Sequence, residues 1–476
     1  MKQFGRLFYF LGLLLIAAAH QSCFASNLPD LGNEFRSALP IENERLMGQM
    51  MMCEIRAAGL SHPDPLVHEY VRHVGNRLTP YMSMPYGNMQ LKFFAINDNS
   101  LNAFAFFDGH VAVHSGLIRA TETESELAGV MAHELAHISQ QHSLRMVADS
   151  KRMLPITIAE SIAAIAIGVP ELILPAWAAH AQKMLNYSRQ FEQEADRLGL
   201  QILSKANFDP QGLPNMLERL NLEFRFHNKP PEYLLTHPLF ESRLSDTRSR
   251  ANTLLFKQTT SSNMFYLIKA RVNVQNASNV DNFIEEQEHI LSTQRYKNKL
   301  AANYAYGYAL LRKGQPDKAW DVFSTLSAAY PDDLIVQITA AEIEMSHNKI
   351  KSAMIRMQRL IELYPDSPAV RLQYANFLIH AKQPQLAAKI LQKYPTKNMP
   401  DPMYYEYVRQ TEGMLGNQVA VYEANAEWFV LHGDINSAIK QLDLGMALKN
   451  QDPKITTRLK NRQTELTELL TRMKQV

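Results

Sequence analysis

The 476-residue sequence is long enough for two or three domains, and its 46% hydrophobic and 20% charged content is ordinary for a folded protein. This composition excludes a chain that is disordered throughout. The 49 basic and 47 acidic residues leave a net charge of +2, so no overall field attracts a polyanion, and we expect no nucleic-acid partner.

The amino terminus has the pattern of a secretory signal. Two basic residues precede the apolar stretch 7–19, and a small-residue pattern ends at Ala25, where we expect cleavage. The apolar stretch is shorter than the roughly 20 residues that cross a bilayer, which disfavours a membrane anchor. Lipid attachment at Cys23 is a lesser alternative. We therefore predict a cleavable signal peptide over residues 1–25 and export of the rest.

The next segment is predicted to form two amphipathic helices followed by a small antiparallel sheet. Apolar residues recur every three or four positions between about residues 40 and 86. Asp108-Gly109 is typical of a hairpin turn between extended segments. The stretches with extended character are 91–96, 102–107 and 111–114.

A five-residue motif lies on the following predicted helix, which begins after a capping signal at residues 121–124. His133 and His137 are four positions apart and therefore share one helical face, where two imidazoles can take two corners of a tetrahedral zinc site. Glu134 projects to the side of this pair and can take a proton from a water at the open corner. The motif predicts a zinc-dependent hydrolase.

The stretch 153–179 is strongly apolar, but three prolines, two glutamates and a glycine interrupt it. The apolar length between these residues is too short for a membrane span. The pattern favours a helical hairpin that is buried or makes peripheral contact with a membrane. An integral-membrane peptidase would require several uninterrupted spans, so this class is disfavoured.

A third zinc ligand is required, because a catalytic zinc usually takes three protein groups. The helical segment 187–196 supplies acidic candidates. Glu192 and Asp196 are four positions apart and share a face, whereas Glu194 points away from that face. Spacing alone leaves both Glu192 and Glu194 open as the ligand.

The motif around His133, together with residues 192–196 and Gly199, resembles the Ste24-type (M48) metallopeptidase family. The resemblance implies that Glu192, the first residue of a Glu-x-x-x-Asp segment, is the third ligand of one Zn²⁺ per chain. It also implies that Asp196 supports the site, either by orienting a ligand imidazole or as a proton donor.

Two further segments are similar to exported family members that carry a carboxyl-terminal repeat domain. Residues 102–105 resemble the family's edge strand, to which a substrate backbone can pair. Residues 107–110 replace the Pro-Gly-Gly turn of many members, so this side of the cleft departs from the pattern. Residues 236–238, with Arg243 further on, match another family feature. The resemblance implies that His237 is a fourth or regulatory ligand that keeps the enzyme at rest; a turn residue is the alternative.

The carboxyl-terminal half repeats at intervals of 34 residues. Small residues let two antiparallel helices approach closely, and a proline ends the second helix. The columns are Gly307, Ala341 and Ala375; Ala319, Ala353 and Ala387; and Pro331 and Pro365, with the twelve-residue spacing repeated at Ala426 and Ala438. The pattern resembles the tetratricopeptide repeat over about residues 262–470.

We therefore predict an α+β protein that is mainly α. A zincin-like metallopeptidase domain with a small antiparallel sheet is expected over residues 26–260, and an α-helical tetratricopeptide-repeat solenoid over residues 261–476.

The predicted activity is zinc-dependent endopeptidase cleavage of extended or misfolded polypeptides, because a cleft that adds a strand requires unpaired backbone. The family resemblance implies action in the periplasm, in the assembly and quality control of outer-membrane β-barrel proteins. The groove of the repeat domain predicts a coupled chaperone activity. Contact with the assembly machinery is expected through the repeat domain. The alternative is a repeat-based chaperone or scaffold whose peptidase site is normally blocked.

Overall fold

The structure is a computed structural model that describes residues 39–85, 89–149, 189–226, 232–239, 241–255, 260–396, 400–448 and 452–475. The predicted signal peptide, Cys23 and the apolar stretch 153–179 lie outside the described residues. None of the helices in the described part of the chain combines the length and the apolar character required to cross a membrane.

The predicted pair of amino-terminal helices is confirmed as α1 (Ile41–Ala57) and α2 (Pro65–Leu78), followed by a short 3-10 turn over Thr79–Tyr81. Asp64 caps α2 by accepting a hydrogen bond from the backbone N–H of Leu66, and Pro65 occupies the first turn, where a missing N–H is harmless. The apolar stripe of α2 is buried in the main core.

The sheet contains β1 (Lys92–Ile96), β2 (Ala103–Phe106) and β3 (His110–His114), in the order β1-β3-β2. The predicted hairpin is confirmed, with β2 antiparallel to β3 and positive φ angles at Asp108 and Gly109. The expectation of a purely antiparallel sheet is wrong, since β1 runs parallel to β3. After β1 the chain crosses to the far side of the sheet and forms β2, and β3 then inserts between β1 and β2. As a result β2 is an edge strand of the sheet.

The motif helix α4 (Glu124–Ser139) packs against two later helices of the peptidase region, α6 (Arg189–Lys205) and α7 (Gly212–Phe226). Thr123 caps α4, and every residue from Glu124 to Ile138 is buried, as expected for a helix inside the core. Gly199 lets the next long helix approach closely, because a Cβ there would lie 3.1 Å from the Cα of His133. The described helices of this region that follow the sheet are α3 (Ser115–Ala120), α4 (Glu124–Ser139), α5 (His142–Asp149), α6 (Arg189–Lys205), α7 (Gly212–Phe226), α8 (Glu232–Thr236) and α9 (Glu241–Thr253).

The remaining described residues form antiparallel helix pairs, which confirms the predicted helical repeat. Gly307 packs against Phe323, where a Cβ would come within 2.7 Å of the ring, and the alanines of the 34-residue columns are buried. The helices are α10 (Asn263–Gln275), α11 (Val280–Ser292), α12 (Lys299–Arg312), α13 (Pro316–Ala329), α14 (Leu334–Ser346), α15 (Ile350–Leu363), α16 (Pro368–His380), α17 (Pro384–Leu391), α18 (Pro402–Leu415), α19 (Gln418–Leu431), α20 (Ile435–Met446) and α21 (Pro453–Met473).

A buried ion-pair network joins the repeats to the peptidase region. The guanidinium of Arg271 on α10 lies 2.5 Å from Asp64 and 2.9 Å from Glu342 on α14. Nearby, Ser367 donates to Glu69 of α2 at 2.7 Å. One apolar cluster also runs through both regions. The regions on the two sides of the predicted boundary near residue 260 therefore share one hydrophobic core. The boundary itself stays a prediction.

Candidate metal centre

The two histidines of the motif meet at the buried centre of the peptidase region. Their separation of four positions on α4 places the Nε2 atoms of His133 and His137 2.9 Å apart. Both side chains are almost completely buried. The helix thus supplies two nitrogen donors that face one point.

Glu192 joins this pair from α6. Its Oε2 lies 3.4 Å from Nε2 of His133, and its Oε1 lies 3.4 Å from Nε2 of His137. Glu194 instead lies 3.3 Å from His142 and from Arg145. Of the two acids that spacing left open, the structure brings Glu192 to the histidine pair.

The Glu192 carboxylate is held in its charged form. Burial by itself would raise the pKa of Glu192, but the positive charges of Arg243, His237 and His133 lower that pKa to well below its usual range. A buried carboxylate that stays ionised is a good oxygen ligand for a cation.

Asp196 lies behind His133 rather than among the converging donor atoms. Its Oδ1 lies 2.9 Å from Nδ1 of His133, a contact that leaves Nε2 of the imidazole facing the centre. Arg243 in turn donates to Asp196 from Nε at 2.7 Å and from Nη2 at 2.9 Å. The orientation of His133 is thereby determined by a buried Asp-Arg pair.

Glu134 lies beside the centre, between the motif helix and the edge strand. Its Oε1 is 3.4 Å from Nε2 of His237, and the backbone N–H of Ala105 on β2 faces its carboxylate. Burial raises the pKa of Glu134 above its ordinary value, although the neighbouring imidazoles oppose this shift. A carboxyl group in this environment can both take and return a proton.

His237, directly after α8, completes a cluster of four donors with His133, His137 and Glu192, whose ligand atoms all lie within 4.8 Å of one another. Its Nδ1 is 3.0 Å from Oε1 of Glu192 and 3.4 Å from Nε2 of His133. The side chain is buried. The structure therefore places this histidine inside the site and not in a surface turn.

The donor set fits a zinc ion on two grounds. Imidazole nitrogens and one carboxylate oxygen are ligands that zinc prefers. Burial would lower the pKa of His133, but Glu192 and Asp196 outweigh it and raise that pKa to about 9. The same excess of negative charge favours a cation among the four donors.

Sequence reasoning assigned no role to Arg243 and did not identify Tyr233. Arg243 is fully buried, and its Nη1 lies 2.6 Å from Oε2 of Glu192. The Tyr233 ring stacks on His237 with 4.6 Å between centroids. Tyr233 precedes His237 by four positions, and this helical spacing was the signal that could have identified it.

His142 contacts the site from outside. Its Nδ1 lies 2.7 Å from Nδ1 of His137, on the side of that ring away from the converging Nε2 atoms. Burial lowers the pKa of His142 to about 4. Because His142 faces the outer nitrogen, it is placed to orient His137.

Comparisons with known proteins match the chain to a metallopeptidase family and a helical-repeat family. Peptidase family M48 matches residues 65–251, and the tetratricopeptide repeat family matches residues 344–410. The chain is 35% identical to the β-barrel assembly-enhancing protease of Escherichia coli (strain K12), over 88% of this chain and 86% of that protein. It is 33% identical to the protein of the same name in Yersinia pestis, over 87% and 86% of the two chains. Mitochondrial metalloendopeptidase OMA1 of Schizosaccharomyces pombe is 30% identical over 38% of this chain and 52% of that protein.

Proposed function

The chain belongs to peptidase family M48, and from this membership we propose that it is a zinc-dependent endopeptidase that cleaves extended or misfolded polypeptides. The chain is a metallopeptidase, and the proposal concerns the identity of the metal, the class of substrate and the role of each residue in the site. The observation that carries the proposal is the convergence of His133, His137 and Glu192 on one buried point, with Glu134 beside it.

In this proposal His133, His137 and Glu192 hold the zinc ion. When bound, zinc supplies a Lewis acid that polarises the scissile carbonyl and acidifies a water molecule. Glu134 takes the proton of the attacking water and passes it to the leaving amine, a task for which its position beside the three ligands suits it. Asp196 and Arg243 keep His133 in the orientation that ligation requires.

The unpaired edge of β2 is an observation in favour of an extended polypeptide substrate. Ala103 and Ala105 lie opposite Val113 and Val111, at the positions of the β2–β3 ladder whose N–H and C=O groups point away from β3. On this side of β2 the backbone N–H of Ala105 faces the carboxylate of Glu134. A substrate strand added here would lie along the site, which selects backbone that is not already paired.

We also propose that His237 holds the enzyme at rest. Its ring lies among the other three donors and beside Glu134, where water and substrate would have to enter. Cleavage then requires His237 to move away.

The relatives' names extend the proposal to a biological setting. Two of them are named for enhancing β-barrel assembly, which supports outer-membrane β-barrel proteins and their assembly machinery as substrates and partners. The machinery would be contacted by the repeat domain over residues 261–476. Removal of a signal peptide over residues 1–25 would place the domain 26–260 and the repeats in the periplasm.

A second function is favoured by the position of His237 in the site. If His237 normally blocks cleavage, the repeat domain acts as a chaperone or scaffold and proteolysis is secondary. Complementation of a deletion strain separates these functions, since full rescue by a Glu134→Gln variant favours the chaperone and failure to rescue favours the protease.

Glu134→Gln also tests the peptidase directly. The variant should retain zinc, measured by elemental mass spectrometry, and lose cleavage of an unfolded protein such as casein, because an amide cannot accept the proton. Glu218→Gln is the matched control, since Glu218 is exposed and pairs only with Arg248 in the described contacts. Casein cleavage by purified Glu134→Gln at the rate of the control would refute the proposal.

A further inference from the structure

The short helix α8, which directly precedes His237, is anchored to the loop between β1 and β2. Ser100 in this loop donates from Oγ to Oε2 of Glu232, the first residue of α8, at 2.9 Å. The Ser100 hydroxyl also lies 2.8 Å from Nδ1 of His114 on β3. A hydroxyl has one proton, so His114 must donate to Ser100 while Ser100 donates to Glu232.

The base of this chain of hydrogen bonds is rigid. His114 is 1% exposed, and its backbone N–H donates to Asn102 within the sheet ladder. Asp98 accepts from the backbone N–H of Ser100 at 2.6 Å and lies 3.5 Å from His114 Nδ1. Ser100 therefore has a defined position, and Glu232 is held against the sheet.

A second contact leads from the same loop to His237. The backbone N–H of Tyr233 donates to the carbonyl of Leu101 at 3.2 Å, and the backbone N–H of His237 donates to the carbonyl of Tyr233 at 2.8 Å. Tyr233 is fully buried, and its ring stacks on that of His237. The loop thus positions α8, and α8 positions the imidazole in the site.

A helix of five residues is too short to be stable by itself, so the position of α8 depends on contacts of this kind. We propose that Ser100, Glu232 and His114 form a latch that keeps His237 in the metal site, and that opening the latch activates the peptidase. The latch residues are positioning residues. This inference rests on the proposed function, in which His237 is the resting-state ligand.

The substrate itself supplies a way to open the latch. Asn102 pairs inward with β3, so the carbonyl of Leu101 points outward and continues the open edge formed by Ala103 and Ala105. In the resting state this carbonyl accepts a hydrogen bond from the backbone N–H of Tyr233. A substrate strand that extends past Ala103 competes with Tyr233 for the carbonyl of Leu101. Because Tyr233 belongs to the helix that positions His237, substrate pairing is thereby coupled to release of His237.

The latch is tested by Ser100→Ala and Glu232→Ala, each in the wild-type chain and in a His237→Ala chain. In the wild-type chain each variant should raise casein cleavage by at least about tenfold, the shift expected when one hydrogen bond to a charged group is lost. A chelator should also extract zinc faster. In the His237→Ala chain neither variant should raise cleavage further, because the group that the latch holds is gone.

Conservative variants separate a latch from a merely structural contact. Ser100→Thr keeps the hydroxyl and should behave as wild type, whereas Glu232→Gln keeps an oxygen that accepts from Ser100 but loses the charge, so it should raise cleavage less than Glu232→Ala does. Glu218→Gln again serves as the exposed control. A long peptide should be cleaved faster than one too short to reach Leu101 in the wild type, and Ser100→Ala should remove this difference.

Several results would overturn the latch. If Ser100→Ala and Glu232→Ala lower cleavage in both chains, or leave it unchanged while His237→Ala raises it, these residues only stabilise the fold. If His237→Ala itself fails to raise cleavage, the resting-state role of His237 fails together with the latch. A second zinc equivalent that Glu232→Ala removes would show that Asp98, His114 and Glu232 bind metal instead.

Discussion

Arg243 donates two hydrogen bonds to the carboxylate of Asp196, from Nε at 2.7 Å and from Nη2 at 2.9 Å, and both side chains are buried. Asp196 in turn lies 2.9 Å from Nδ1 of His133, so the guanidinium on α9 influences how an imidazole on α4 faces the metal site. Mutation of such outer partners of a ligand typically weakens metal binding or activity.

Arg243→Lys should weaken zinc binding by roughly 10- to 100-fold, because an ammonium cannot reproduce the two-pronged contact with Asp196. Competition with a chromogenic chelator measures the affinity. Arg250→Lys on the same helix is the matched control, since Arg250 forms only an exposed pair with Asp246 in the described contacts. Equal zinc affinity in the two variants would contradict the role assigned to Arg243.

Removal of the metal should abolish cleavage and lower the melting temperature. A ligand at a thousand times its dissociation constant stabilises the folded state by about 4 kcal/mol, and apo protein loses this contribution. Calorimetry with and without added zinc measures the shift. His137→Ala should show a much smaller zinc-dependent shift than the wild type; an equal shift would place the bound zinc elsewhere.

Arg271→Ala should destabilise the whole protein by about 3–5 kcal/mol, because it leaves the buried carboxylate of Asp64 without its charged partner. Urea unfolding followed by circular dichroism measures the free energy of unfolding. Arg359→Ala removes an exposed pair with Asp332 and should change that free energy by at most about 1 kcal/mol. A similar small change for Arg271→Ala would argue against a shared core.

Stability should fall as the pH is lowered from about 6.5 to 4. Burial lowers the pKa of His62 to about 4, with His68 and Arg271 adding to this effect and Asp64 opposing it. A histidine with a depressed folded-state pKa contributes fully above its unfolded value of 6.5, and the contribution of up to about 3 kcal/mol disappears as the pH falls toward 4.

His62→Asn provides the comparison for this pH dependence. In the folded state, the backbone N–H of Asp64 donates to Nδ1 of His62 at 3.2 Å, and protonation would remove that acceptor. An asparagine oxygen can accept the same hydrogen bond without titrating. Unfolding free energies that decline equally in variant and wild type between pH 6.5 and 4 would contradict the assignment to His62.

The parts of this protein that were predictable from residue order are those governed by local periodicity. The four-residue spacing of His133 and His137 requires a shared helical face, and small residues repeated every 34 positions require stacked helix pairs. Turn chemistry likewise located the hairpin at Asp108 and Gly109. Each of these features depends on neighbours along the chain, so no knowledge of distant packing was needed.

Other features depend on how distant segments pack. Spacing could not separate Glu192 from Glu194, because the choice depends on the rotation of α6 against α4, which Gly199 permits by close approach. The parallel pairing of β1, the Arg243–Asp196 contact and the anchoring of α8 by Ser100 likewise join residues far apart in sequence. Local patterns carry no information about such distances, since burial of a shared core sets them once the whole chain has packed.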